Sequence, residues 1–270
     1  MKIDFSQLVF LLALLLAGCV QPADEQQGGG AVSSSEIDEA GEKLTIAAAA
    51  NLRFVLAELE VDFEKNNTTD LEIIFASSGK LTSQIINGAP FDIFLSANMK
   101  FPLKLVQEKV VSGEPRVYAL GTLIMWTTKD LDLSKGLIRL LEADIEKVAI
   151  ANDKNAPYGT AAMEALNSAR VNPMIESKLV YGESVSQVNQ YVKSETVDVG
   201  LTNKSVVLGT MKDNGVWQDV DTTLYARIEQ GIVITNHGEL HRGSACQAFL
   251  AYIFSPAAQE ILAKYGYLAP

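Results

Sequence analysis

The chain has 270 residues but only two cysteines, two histidines and two tryptophans, and aromatic residues make up 7% of it. Both histidines fall in His237-Gly-Glu-Leu-His241. Gly238 weakens a helix there, and glutamate does not directly follow the first histidine as the zinc-protease order requires. A surface loop is expected, with no direct metal ligands. Trp126 and Trp217 are expected in core or hinge packing, because no aromatics are grouped to stack on sugars or bases. Positive charge is also scarce: 22 Lys and Arg face 33 Asp and Glu, a net charge of −11. That balance argues against nucleic-acid partners and against electrostatic attachment to anionic lipid. The apolar run LVFLLALLL, Leu8 to Leu16, is too short to span a bilayer and has the length of a signal-peptide core.

That run ends at Leu16-Ala17-Gly18-Cys19. Small residues before a cysteine are similar to a bacterial lipobox, in which cleavage leaves Cys19 as a lipid-modified N-terminus; the plainer reading is an ordinary signal peptide with a chance cysteine. Residues 1–18 are therefore expected to be a lipoprotein leader. Residues 19–43 include Gln26-Gln27-Gly28-Gly29-Gly30 and Ser33-Ser34-Ser35 and carry too few apolar residues to pack, so they read as a flexible tether. Acylation of Cys19 leaves only Cys246, in the apolar helical pattern SACQAFLAYIF, as a buried core thiol with no internal disulfide.

From Leu44 onward one theme repeats: a short apolar run, a loop of small residues, then an amphipathic helix. LTIAAA, LEIIFA and FDIFLSA read as strands, and Leu52, Val55, Leu56, Leu59 and Phe63 form one helical face after Asn51, which sits where an N-cap belongs. RVYALGTLIMWTT is a β-rich run long enough to cross between two halves. The theme then resumes with KVAIAN, a helix opening at Thr160, KLVYG and VDVGLT, before ARIEQGIVIT crosses back. The end holds two helices, Ser244–Phe254 and one opened by Ser255-Pro256. Alternating strands and helices imply an α/β fold with mostly parallel sheets, in two lobes joined by crossing strands. The lobes are expected over 44–122 plus 228–270, and over 123–227.

Ligands of open parallel sheets bind beyond the carboxyl ends of the strands. Four such junctions are alike: AAAANL (47–52), ASSGKL (76–81), NAPYGT (155–160) and YGESV (181–185). Each places small or neutral polar residues at a helix start, where unpaired N–H groups and the helix dipole favour an anion. Any one of them is an ordinary helix start; the signal is that two occur in each half. Asn51, Ser77 and Ser78 can add side-chain donors. SSGK is not a nucleotide loop, because Ile74 and Leu81 occupy the places of the required glycine and Ser or Thr. A secreted hydrolase using Ser77 or Ser78 with a lysine base stays open, although no second motif supplies a proton relay. Lys80 reads as a solvated helix residue.

The motifs AAAANLRFVLAEL, FASSGKLTSQIINGAPFDIFLSAN, NAPYGTAAMEAL, GESVSQVNQYV, VDVGLTN and SPAAQEILAKYGY together resemble the molybdate-binding proteins of bacterial ABC importers, over nearly all of 44–267. The resemblance implies a type II periplasmic binding protein fold: two lobes, each a mostly parallel sheet flanked by helices, with two crossing hinge strands. It implies an oxyanion held by neutral donors: Asn51 at the first ligand position, Ser78 at the second, and the backbone N–H groups of Tyr158 and Val185. Ala50, Ser77 and Gly79 flank these positions. Asn203 stands where some members carry a tyrosine hydroxyl. The implied protein is no enzyme and needs no cofactor. The resemblance implies that it binds molybdate or tungstate for a membrane permease; the LAGC motif adds an expected lipid anchor at Cys19 on the periplasmic or outer face of a bacterial membrane, and a monomer is expected because nothing in the sequence suggests more. Another small oxyanion such as sulfate is the alternative ligand.

Overall fold

The computed structural model describes residues 43–209 and 215–270. The expected leader, nearly all of the expected tether, and Cys19 lie outside the described residues.

The first lobe contains β1 (Lys43–Ala49), α1 (Arg53–Lys65), β2 (Asp70–Ala76), α2 (Ser78–Ile86), β3 (Ile93–Ser96), α3 (Lys100–Gln107) and β4 (Val111–Gly121). The second contains β5 (Leu123–Thr127), β6 (Val148–Ala151), α4 (Pro157–Ser168), α5 (Asn172–Ile175), β7 (Leu179–Gly182), α6 (Val185–Lys193), β8 (Val199–Asn203), α7 (Ser205–Gly209) and β9 (Val216–Asp219). The chain then returns to the first lobe as β10 (Ile228–Thr235), α8 (Asn236–Ile253) and α9 (Pro256–Lys264). The sheet orders are β2-β1-β3-β10-β4 and β7-β6-β8-β5-β9. In each sheet one strand runs against the other four, β10 in the first and β5 in the second. These two reversed strands are the first of each sheet to follow a crossing between the lobes.

Helices on both faces explain why the strands read as unbroken apolar runs. Ile46 and Ala48 of β1 pack into the cluster with Val55, Leu56, Leu59 and Phe63 of α1, while Ala47 between them packs with Leu81 and Ile85 of α2. Alternate side chains of one strand thus serve opposite faces. The α1 face matches the helical spacing, and each of its large apolar side chains is at most 1% exposed. Burial of that kind contributes roughly 1.5–3 kcal/mol per side chain.

Three local expectations are corrected. Asn51 is no N-cap: the chain first makes a tight 3-10 turn over Ala50–Leu52, and no cap bond forms from its side chain. The His237–His241 segment is not a loop but the first turn of α8, capped by Thr235 Oγ1, which accepts from the Gly238 N–H at 3.0 Å. The helix kinks at Arg242, and His237 Nδ1 lies 3.0 Å from the buried Asp92 carboxylate. Among the described residues no group of three or more His, Cys, Asp or Glu side chains could hold a metal ion. Trp126 is buried, but Trp217 on edge strand β9 is 37% exposed, with Lys204 lying over its ring. An edge strand has a neighbour on one side only, and no described residue covers that ring fully. Cys246 is fully buried in the core, as its apolar surroundings imply.

Candidate functional site

The carboxyl ends of β1, β2, β3, β6 and β7 converge on one cavity of about 200 Å³. Ala49, Ala50 and Asn51 come from the first strand end, Ser77 and Ser78 from the second, and Ala97 from the third. Ala156, Pro157, Tyr158, Ser184 and Val185 come from the second lobe. None of these lining side chains is charged. Instead, α2, α4 and α6 all begin at the cavity wall, and the leading N–H groups of a helix have no acceptor within it. Three partial positive charges therefore meet in a space with no carboxylate among its described lining residues.

Ser78 is buried, and its Oγ accepts the Ala97 N–H at 3.0 Å. That bond uses a lone pair and leaves the hydroxyl proton to give. Ser77 Oγ is also buried and has no partner. The alanines keep the walls low, so that a ligand can approach the backbone.

Asn51 is fixed from behind. Gln230 Nε2 donates to the carbonyls of Ala97 and Ile228, at 3.3 and 3.2 Å, so its Oε1 must face Asn51. The Asn51 amide nitrogen then donates to Gln230 Oε1 at 2.8 Å and to Tyr267 Oη at 2.9 Å. Tyr267 Oη in turn donates to the Asn51 carbonyl at 2.9 Å. Both side-chain protons of Asn51 are thus spent inside the fold, and its Oδ1 is buried without a partner. The expected side-chain donation from Asn51 gives way to its main chain, because the network behind it consumes the amide.

The side chain of Tyr158 also leaves the cavity. Its hydroxyl reaches the lobe crossing, where a Cβ on Gly121 would lie 2.1 Å from it. Burial pushes that phenol well above its ordinary range, reinforced by neighbouring Tyr267, Tyr225 and Tyr118 and opposed only by the Asn51 amide. Burial likewise raises Tyr267, against the hydrogen bonds from Ser205 and Asn51. Both hydroxyls keep their protons near neutral pH, so the network adds no negative charge to the back wall.

Of the residues expected at the site, Ala50, Asn51, Ser77, Ser78, Tyr158 and Val185 are brought together. Gly79 and Asn203 are not among the lining residues. The Gly79 N–H donates to the Asn155 carbonyl at 2.9 Å. Asn203 Nδ2 donates to the Asn51 carbonyl at 3.2 Å and to Ser205 Oγ at 2.6 Å, so it sits behind Asn51. Ala49, Ala156, Pro157 and Ser184 on the wall lie within the junctions read from the sequence but were not singled out there, whereas Ala97 on the wall and Gln230 and Tyr267 behind it were missed. A glutamine inside the apolar run of β10 was the one legible signal, since a buried polar side chain needs partners.

The chain matches the family described as bacterial extracellular solute-binding protein over residues 44–268. It is 36% identical to the molybdate-binding protein ModA of Rhodobacter capsulatus over 231 residues, 85% of this chain and 89% of that protein. It is 32% identical to the molybdate-binding protein ModA of Azotobacter vinelandii over 270 residues, 99% of each chain. The solved structure of the periplasmic molybdate-binding protein of Azotobacter vinelandii superposes with a TM-score of 0.77 at 27% identity, covering 84% of this chain and 99% of that one.

Proposed function

The chain belongs to the bacterial extracellular solute-binding proteins and, within them, to the molybdate-binding protein family, and on that footing we propose that it captures molybdate or tungstate between its lobes and delivers the ion to the permease of an ABC importer. The observation that carries this reading is the small cavity built from helix starts and the Ser78 hydroxyl, with no charged side chain on its wall. Molybdate and tungstate are dianions without a proton near neutral pH, so they only accept hydrogen bonds, and a wall of N–H and O–H donors suits them. The acidic surface does not oppose this, because its field is screened beyond about 8–10 Å in physiological salt. No catalytic step is assigned to the cavity.

Calorimetric titration with molybdate, tungstate, sulfate and phosphate tests the reading. Heat with the first two and much weaker binding of sulfate is expected; no heat with molybdate or tungstate defeats it. Ser78→Ala should weaken molybdate binding by about ten- to a hundredfold, because a hydrogen bond to a charged group is worth roughly 1.5–3 kcal/mol. A variant that still folds, its melting temperature lowered only by loss of the Ala97 N–H bond, assigns the remaining loss to the ligand contact.

One observation favours a second reading. Asn51 Oδ1 is a buried acceptor without a partner on a residue that lines the cavity. An oxyanion that keeps a proton, such as hydrogen phosphate, would give that oxygen a donor. Phosphate binding tighter than molybdate in the same titration selects this reading.

Cys19 is proposed as the acylated anchor that tethers the body to a membrane face. Palmitate labelling of the expressed chain should be lost in Cys19→Ser; unchanged labelling rules the anchor out.

A further inference from the structure

Besides the bonds from Asn203 Nδ2 and Ser205 Oγ to the Asn51 carbonyl, which lie behind the wall, three polar contacts join the lobes around the cavity. The Gly79 N–H donates to the Asn155 carbonyl at 2.9 Å. Lys80 Nζ lies 2.8 Å from Glu183 Oε1. Ser186 Oγ stands 3.5 Å from the Ala50 carbonyl, at the limit of a hydrogen bond. They differ in what they can hold. The side chains of Lys80 and Glu183 are 53% and 60% exposed, and an ion pair so open to water contributes little. Gly79 is buried, and its contact is backbone to backbone.

The approach at Gly79 is too close for any other residue. A Cβ there would lie 2.9 Å from Asn155 Cα, 3.0 Å from its Oδ1 and 3.1 Å from its Cβ. The Cα belongs to the main chain of the opposite lobe, so it can retreat only if the loop shifts or the lobes part. Gly79 also directly follows Ser78, the hydroxyl donor of the cavity wall. The first turn of α2 therefore turns one residue to the ion and the next to the other lobe.

We propose that the Gly79–Asn155 contact is the closure latch of this protein, a positioning contact that couples capture of the ion to docking of the lobes, with the Lys80–Glu183 pair a minor addition. The proposal rests on the ion-binding reading for its ligand but not for its geometry. An ion bridging the two lobes and the latch stabilise the same closed state, so blocking one weakens the other by shifting the population toward the open form.

Two measurements on the full chain test it. The first is molybdate calorimetry. Gly79→Ala is expected to bind about tenfold more weakly, Lys80→Ala to stay within about threefold of the parent, and Gly79→Ala/Asn155→Gly to regain part of the loss by removing two of the three close contacts. The second needs no ligand: zero-length carbodiimide coupling of Lys80 to Glu183, read by mass spectrometry, reports how often the lobes close. Its yield is expected to fall at least about fivefold in Gly79→Ala. Alanine suits a helix better than glycine, so the melting temperature of the ligand-free variant should not drop. Equal coupling yield in parent and Gly79→Ala overturns the latch whether or not molybdate binds. So does a Lys80→Ala variant as weak as Gly79→Ala, which would give the role to the ion pair. A parent that takes up no molybdate or tungstate, yet loses coupling in Gly79→Ala, overturns the ligand reading and leaves the latch standing.

Discussion

Asn51→Asp should weaken molybdate binding by at least about a thousandfold. The substitution changes one nitrogen to oxygen and almost nothing in shape, so its effect is electrostatic. Asn51 is 1% exposed and lines the cavity. A carboxylate there places a negative charge against a dianion. At an effective dielectric constant of about 20, two unit charges roughly 4 Å apart interact by about 4 kcal/mol, and a dianion roughly doubles that. A thousandfold loss corresponds to about 4.1 kcal/mol. The new oxygen also faces Gln230 Oε1, which the Ala97 and Ile228 carbonyls hold in place through Nε2. Two acceptors then confront each other where a 2.8 Å hydrogen bond stood. Calorimetry with a parallel melting curve checks this. A folded Asn51→Asp variant that binds within tenfold of the parent would remove Asn51 from the site.

Gly159→Ala acts on the scaffold and should lower stability by about 3 kcal/mol, the upper part of the usual range for overpacking. Gly159 lies in the first turn of α4, pressed against the end of β6. A Cβ at this position would meet the Ala151 carbonyl oxygen at 2.2 Å, its carbon at 2.7 Å and the Asn152 carbonyl carbon at 2.9 Å. All three are backbone atoms of the second lobe, and no side-chain rotation relieves the clash. The start of α4 must lift, carrying Pro157 and Tyr158 with it, and both line the cavity. For a domain of this size the melting temperature should fall roughly 6–12 °C, with molybdate affinity down about tenfold. An unchanged calorimetric transition would mean that α4 can shift freely, contrary to its packing on β6.

These two residues mark how far the sequence could be read. The strand–loop–helix theme is a local property. Largely apolar runs such as LTIAAA, followed by faces such as Val55, Leu56, Leu59 and Phe63, settle the order of elements, because burial on both sides of a parallel sheet leaves few places for polar side chains. The four small-residue junctions were legible for the same reason: each is a helix start, and a helix start is defined within a few residues. Asn51, Ser77 and Ser78 could be named from the junctions themselves, whereas Ala50, Tyr158 and Val185 came from the family resemblance, and all six line one cavity.

What the junctions do there was decided at longer range. Asn51 and Gln230 are 179 residues apart, and Asn51 and Tyr267 are 216 apart; only their meeting turns the Asn51 amide away from donation. Gly79 is a ligand candidate when read within its own loop, and a lobe contact once Asn155, from the other sheet, stands 2.9 Å from its nitrogen. Asn203 and the capped first turn of α8 follow the same pattern: each depends on the distant residues packed around it. From sequence alone came the α/β architecture and the helix starts that favour an anion. Tertiary structure decided which donors remain free to face it, because a hydrogen bond already made inside the fold cannot be given again to a ligand.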